Sequence, residues 1–244
     1  MRLPHSHHPP VENVYSNPTV GTVTRNKICD VRNASTGTTV TARPRAVGLL
    51  ILATGASGAT ASNNMISLGD SQSTNTEFVG IMNAFSTTIL NSFYNSVNIT
   101  GTAGGGALPT YGFLRGDNGV ASAIATTVTI KNNIFQNART GGTGKHYAIG
   151  NVNTVPATGW AAGASNNNVL NSPVASTVGI WGLALDQTFA QWQASSGGDG
   201  SSLTGVAVPF VGPCDLHLNF GITPTPIESH GTTIPGLAID YDNQ

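Results

Sequence analysis

Two short patterns recur along this chain at nearly one period, and that recurrence constrains its fold more than any other feature. The first is an Asn two residues ahead of an aliphatic side chain: Asn26 before Ile28, Asn64 before Ile66, Asn95 before Val97, Asn132 before Ile134 and Asn167 before Val169. The second is an apolar or aromatic residue, a small one, then a bulky one. It reads Val47-Gly48-Leu49, Val79-Gly80-Ile81, Tyr111-Gly112-Phe113, Tyr147-Ala148-Ile149 and Val178-Gly179-Ile180. The Asn positions are 38, 31, 37 and 35 residues apart, and the small positions 32, 32, 36 and 31. Two interleaved series of one period imply a single supersecondary unit copied about five times.

Helical repeats require apolar residues at i, i+3 and i+4, a spacing missing here, and propeller blades need four strands per repeat. Short strands joined by Gly, Ser, Thr and Asn turns fit a solenoid in which each strand pairs in parallel with its copy in the next coil. The expectation is a right-handed parallel β-helix of about five to six coils. It forms one domain over residues 20–244, with residues 1–19 a flexible tail or fragment edge. Only 9% of the residues are charged, far from the usage of a helical or α/β enzyme. In such a stack the aliphatic residues form an apolar ladder at about 4.8 Å spacing. Aligned Asn amides bond to one another and to turn backbone, and the small column permits close backbone approach. One helix is predicted near residues 187–195, with Asp186 as N-cap, Phe189 and Trp192 on one face and Gly197 as C-cap, covering the stack.

The segments Asn132–Asn137 (NNIFQN), Gly144–Gly150 (GKHYAIG), Phe189–Gln193 (FAQWQ) and Asp215–Leu218 (DLHL) resemble repeats in large secreted or cell-surface Bacteroidota proteins. Those proteins are similar to pectate-lyase-type right-handed β-helices and often carry a C-terminal secretion signal. The resemblance covers nearly all of residues 20–242 and implies a piece of a longer exported protein, its signal outside this chain. It carries no agreed catalytic motif, so it speaks to fold and provenance.

Charge is unevenly placed. Residues 1–145 hold ten Lys and Arg against five acids (+5), and residues 146–244 hold six acids (−6). The basic residues are scattered singly and never interleave with aromatics, which argues against nucleic acid as a partner. No apolar run reaches the roughly 20 residues of a membrane span. The chain stops mid-pattern, so exposed coil ends and end-to-end self-association are expected. Cys29 and Cys214 fall in the first and last coils, on the order of 20 Å apart, so two free thiols are predicted, and a bridge would refute the coil assignment. His5, His7 and His8 read as part of the tail.

Two clusters carry the chemistry. Arg115 and Asp117 follow the third small-residue strand, and Lys145 and His146 open the fourth. Parallel stacking can gather them on one face as a catalytic group, with Tyr111 and Tyr147 as flat surfaces for sugar rings. Lyases that resemble this fold use Arg or Lys as base, with carboxylates and calcium. Against this, Lys145 shares a column with Arg45 and Glu77, as a solvated polar rim would. The second cluster is Asp215, His217, Glu228, His230, Asp240 and Asp242, of which Asp215, His217, Asp240 and Asp242 are a candidate metal group, a structural role in turns being the competing reading. Strand alternation puts Asp215 and His217 on one face, and carboxylate oxygens suit calcium. Asp199, in Gly197–Gly200, reads as a turn residue. The functions compatible with this sequence are a glycan-binding or adhesive module, or an enzyme on the same scaffold, either a polysaccharide lyase or a calcium-dependent hydrolase of glycans, esters or lactones.

Overall fold

A computed structural model describes residues 13–16 (backbone), 21–33, 43–51, 58–84, 89–117, 124, 126–183, 185–219, 221 and 225–242. It is an all-β parallel solenoid built from three long sheets. Sheet A stacks β1 (Asn13–Ser16), β4 (Arg45–Ile51), β7 (Glu77–Asn83), β11 (Thr110–Arg115), β15 (His146–Asn151) and β18 (Gly179–Trp181) in parallel. A last strand, β19 (Leu185–Gln187), adds antiparallel to β18. Sheet B stacks β2 (Gly21–Thr24), β5 (Ala59–Ser62), β8 (Leu90–Phe93), β12 (Val128–Lys131) and β16 (Ser165–Asn166). Sheet C stacks β3 (Lys27–Val31), β6 (Met65–Leu68), β9 (Ser96–Ile99), β13 (Ile134–Asn137) and β17 (Val169–Asn171). Two pairs flank these sheets: β10 (Thr102–Ala103) with β14 (Thr140–Gly141), and the hairpin β20 (Phe210–Gly212) with β21 (Asp215–Leu218). β1 precedes residue 20; the rest of the expected tail, including His5, His7 and His8, lies outside the described residues.

Each coil runs along sheet B, turns a two-residue corner, runs along sheet C, and returns through sheet A. The corner is the reason for the Asn repeat. Its first residue is left-handed (Arg25, Asn63, Tyr94, Asn132 and Asn167, φ 53–60°), a conformation Asn tolerates better than most. Its second residue is always Asn: Asn26, Asn64, Asn95, Asn133 and Asn168. The predicted column is therefore correct in three coils and one residue early in two, at the runs Asn132-Asn133 and Asn166-Asn167-Asn168. Asn132 and Asn167 are corner residues, and the inward ladder is Ile28, Ile66, Val97, Phe135 and Leu170. A one-residue slip moves a side chain to the opposite face of a strand.

The Asn column is a directional hydrogen-bond chain. Asn64 Nδ2 donates to Asn95 Oδ1 at 2.8 Å, Asn95 Nδ2 to Asn133 Oδ1 at 2.9 Å, and Asn133 Nδ2 to Asn168 Oδ1 at 3.1 Å. Each Oδ1 also accepts the backbone N–H of the Asn before it. Each Nδ2 reaches back to a sheet B carbonyl of the preceding coil: Val23, Ala61, Ser92 and Ile130 in turn. This satisfies the polar groups that a sharp buried corner leaves over.

The small column works by close approach. A Cβ on Gly80 would lie 2.4 Å from Gly112 O and 2.4 Å from Val97 Cγ1, so sheets A and C pack backbone against side chain there. Alternation breaks at this position: Val47 joins an outer apolar cluster while Leu49, two residues on, joins the main core. In the last coil Val178 follows Ala148, since Gly179 pairs with Ile149. Gly179 instead makes room for the Trp192 ring.

Five strands each in sheets B and C give roughly four turns, fewer than the five to six expected, because the C-terminal residues leave the stack. The covering helix α1 spans Phe189–Ser196, capped by Thr188 in a capping box with Gln191, and Gly197 closes it in the left-handed conformation. Asp186, the predicted cap, lies in β19 and pairs with Ile180. Trp160, Trp181 and Trp192 pack edge-to-face, with centroids 5.4–5.6 Å apart, and close this end of the core.

From β20 onward the chain doubles back along the outside. β21 packs against β6 and β9, and residues 230–239 cross four corners in reverse order. Asn167 donates to His230 O, Asn132 and Tyr94 to Thr232 O, and Asn63 to Ile239 O. This return brings Cys214 to the first coil. Cys29 and Cys214 form a disulfide, with Cα atoms 5.6 Å apart, across a sequence separation of 185. The predicted free thiols are overturned and the coils are not, because the error lay in assigning Cys214 to the last rung.

Candidate functional site

The outer face of sheet A gathers four of the sequence-predicted residues. Tyr111 and Tyr147 are register partners, stacked at 5.3 Å with a 14° interplanar angle. Alternation puts Lys145 on the same face as Tyr147. Both meet Asp186: Lys145 Nζ pairs with one carboxylate oxygen, and the Tyr147 hydroxyl donates to the other at 2.7 Å. Burial, ahead of the adjacent Asp186 carboxylate, pushes the Tyr147 phenol well above its ordinary range. Tyr111 is raised likewise, burial first and the Glu77 charge next. Both rings are almost fully buried against each other.

Asp117 joins a neighbouring ionic network on this face. Arg43 and Arg45 each hold Glu77 at 2.5 Å, and both also pair with Asp117. Burial works against the Arg45 charge, but Glu77 and Asp117 more than offset it, and its pKa is raised. Between the ladder and the β18–β19 turn lies a cleft of about 350 Å³, lined by Pro109, Tyr111, Thr143, Lys145, Leu183 and Asp186 among others.

Arg115 and His146 are directed elsewhere. The Arg115 guanidinium is buried and donates to the carbonyls of Ile124 (3.0 Å), Thr126 (2.8 Å) and Thr158 (2.9 Å), with Trp160 beneath it. Desolvation lowers its pKa to about 10. His146 alternates inward, with Nδ1 2.9 Å from Thr110 Oγ1; desolvation lowers its pKa, and the Gly141 carbonyl opposes that.

The second cluster comes together in part. His217 Nδ1 lies 2.5 Å from Asp215 Oδ1, and Nε2 lies 2.9 Å from Asp242 Oδ2, close enough for an ion pair but outside hydrogen-bonding angles. Partial burial lowers the His217 pKa, but the two carboxylates outweigh it, so it is raised. Asp240 accepts the Asp242 backbone N–H. Among the described residues no three His, Cys, Asp or Glu side chains converge as metal ligands. Both imidazole nitrogens already face carboxylates, an arrangement suited to an imidazolium rather than to a metal ligand.

A residue read only as a turn is more deeply placed. Asp199 is indeed left-handed, but its buried carboxyl ends the Asn ladder, accepting from Asn168 Nδ2 (3.2 Å), Ser202 Oγ (2.5 Å) and Trp192 Nε1 (2.7 Å). The Gly-Gly-Asp-Gly setting explains the turn, and only the ladder explains the burial.

No protein-family model matches this chain, and no curated protein or solved structure does either.

Proposed function

We propose that this chain is a rigid glycan-binding or adhesive module of a secreted or cell-surface bacterial protein, of the Bacteroidota type its repeats resemble. The observation that carries the exported setting is the Cys29–Cys214 disulfide, since such bridges persist in oxidising compartments. Binding without turnover is favoured by the ionic groups in and beside the cleft, which neutralise one another. Lys145 is paired with Asp186, Arg45 with Glu77 and Asp117, and the Tyr147 phenol is held protonated. A general base needs a free, tuned group in reach of its proton.

The second reading is an enzyme, a polysaccharide lyase or a calcium-dependent hydrolase, and Lys145, Asp186 and Tyr147 meeting in one cleft favour it. One experiment separates the two. A glycan array on the full chain is run beside an unsaturated-product absorbance assay and an ester and lactone panel, each with calcium and with EDTA. Glycan capture with no product in any assay is the expected result; product formation abolished by Lys145→Ala would replace the binding reading with the catalytic one.

A further inference from the structure

A second groove, of about 420 Å³, lies on the opposite side of the coil, between the outer face of sheet C and the returning hairpin. One wall is polar: Asn98 and Gln136, register partners on β9 and β13, with Asp70 and Thr100 beside them. The other is apolar and contains Pro209 and Phe210. Its size falls within the range of small-ligand sites.

Several polar groups here are unspent. The Asn98 amide makes no hydrogen bond among the described residues, and Gln136 uses only its oxygen, which accepts from Asn171 Nδ2 at 2.7 Å. Thr100 Oγ1 is shut off from solvent and also has no partner, a costly state for a hydroxyl. Asn98 and Gln136 stand about 4.8 Å apart along the axis, a repeat close to that of successive rings in an extended glycan. Among the described residues no Lys or Arg lines the groove, and Asp70 is its one charged residue. Amides facing a half-buried proline and a half-buried phenyl ring suit sugar hydroxyls on one side and the apolar face of a pyranose on the other.

We infer that this groove binds a neutral oligosaccharide, with Asn98 and Gln136 bonding its hydroxyls and Phe210 packing on a ring face. The inference rests on the glycan-binding reading and moves its site away from the tyrosine cleft. Asp70 and the missing cations disfavour uronate chains, the substrates expected of a lyase.

The test is affinity electrophoresis of the full chain in gels containing hydroxyethylcellulose, α-mannan, soluble starch or polygalacturonate. Wild type is compared with Asn98→Ala, Phe210→Ala and, as a control outside both clefts, the exposed Val155→Ala, each first shown to melt as wild type does. Retardation by a neutral polysaccharide, weakened about tenfold or more in Asn98→Ala and Phe210→Ala and unchanged in Val155→Ala, supports the groove. Retardation by a neutral polysaccharide that survives both groove substitutions, or by polygalacturonate alone, overturns the groove and leaves glycan binding standing. Absence of retardation in every gel, together with an empty glycan array, overturns both.

Discussion

At the scale of single residues, stability concentrates in the side chains that close the corners. Asn95 is fully buried, and its side chain and backbone N–H take part in five hydrogen bonds to neighbouring coils and a sixth to Ser92 Oγ of its own coil. Asn95→Ala would strand the Asn64 backbone N–H in a dry interior, at a cost of about 1–3 kcal/mol, and would remove the Asn95 Nδ2 bonds to Asn133 Oδ1, Ala61 O and Ser92 Oγ, at about 1 kcal/mol each. The expected loss is about 3 kcal/mol or more in denaturant unfolding; a loss under about 1 kcal/mol would mean that the ladder is incidental to the corner. The ladder's existence was legible because amides can chain along a stack. Its register was not, because Asn132-Asn133 and Asn166-Asn167-Asn168 offer several Asn residues where the coil uses one as a left-handed corner and the next as a rung.

At the scale of elements, the end of the stack is closed by α1, three indoles and one carboxyl group. Asp199 gathers the last ladder amide, the Ser202 hydroxyl and the Trp192 indole N–H. Asp199→Asn keeps a residue that tolerates φ 57° but turns one oxygen into a donor facing other donors. The substitution is expected to cost about 2–4 kcal/mol and to red-shift tryptophan fluorescence before the rest of the stack unfolds. Coincident loss of fluorescence and sheet signal would show that the cap and coils unfold as one unit. The helix itself was legible from Phe189, Trp192 and Gly197, while its start was displaced from Asp186 to Thr188 because β18 recruits Leu185–Gln187 as an antiparallel partner. Of the candidate site, the stacked tyrosines and Lys145 followed from the small-residue register and strand alternation. Asp186, more than thirty residues away, did not, since only the chain reversal at the last coil brings it to Lys145.

At the scale of the whole molecule, the segment returning across the corners couples the two ends of the solenoid. That return was invisible in the sequence because it obeys no repeat, and it is what joins cysteines 185 residues apart. A crosslink closing so long a loop restricts the unfolded chain by about 5 kcal/mol in the entropic limit. Reduction is therefore expected to lower the denaturant midpoint by an amount that Cys29→Ser/Cys214→Ser reproduces, and an unchanged midpoint would mean that the bridge contributes nothing to folding. The same return is fastened by His217 between Asp215 and Asp242. The raised His217 pKa means that its contribution is complete below the ordinary histidine value, about 6.5, and is lost as pH rises through the higher folded value. The Asp215 pKa, lowered first by the His217 hydrogen bond, gives the opposite limb: its contribution is present above the ordinary value, about 3.9, and fades as pH falls through the lower folded one. The return is held tightest between roughly pH 4 and 6.5. Limited proteolysis of the reduced protein should then cut residues 219–242 more slowly at pH 5.5 than at pH 8.5, and His217→Phe should erase the difference. Equal cleavage at the two pH values in the wild type would show that the corner hydrogen bonds from Asn63, Tyr94, Asn132 and Asn167 hold the segment without help from the ion pair.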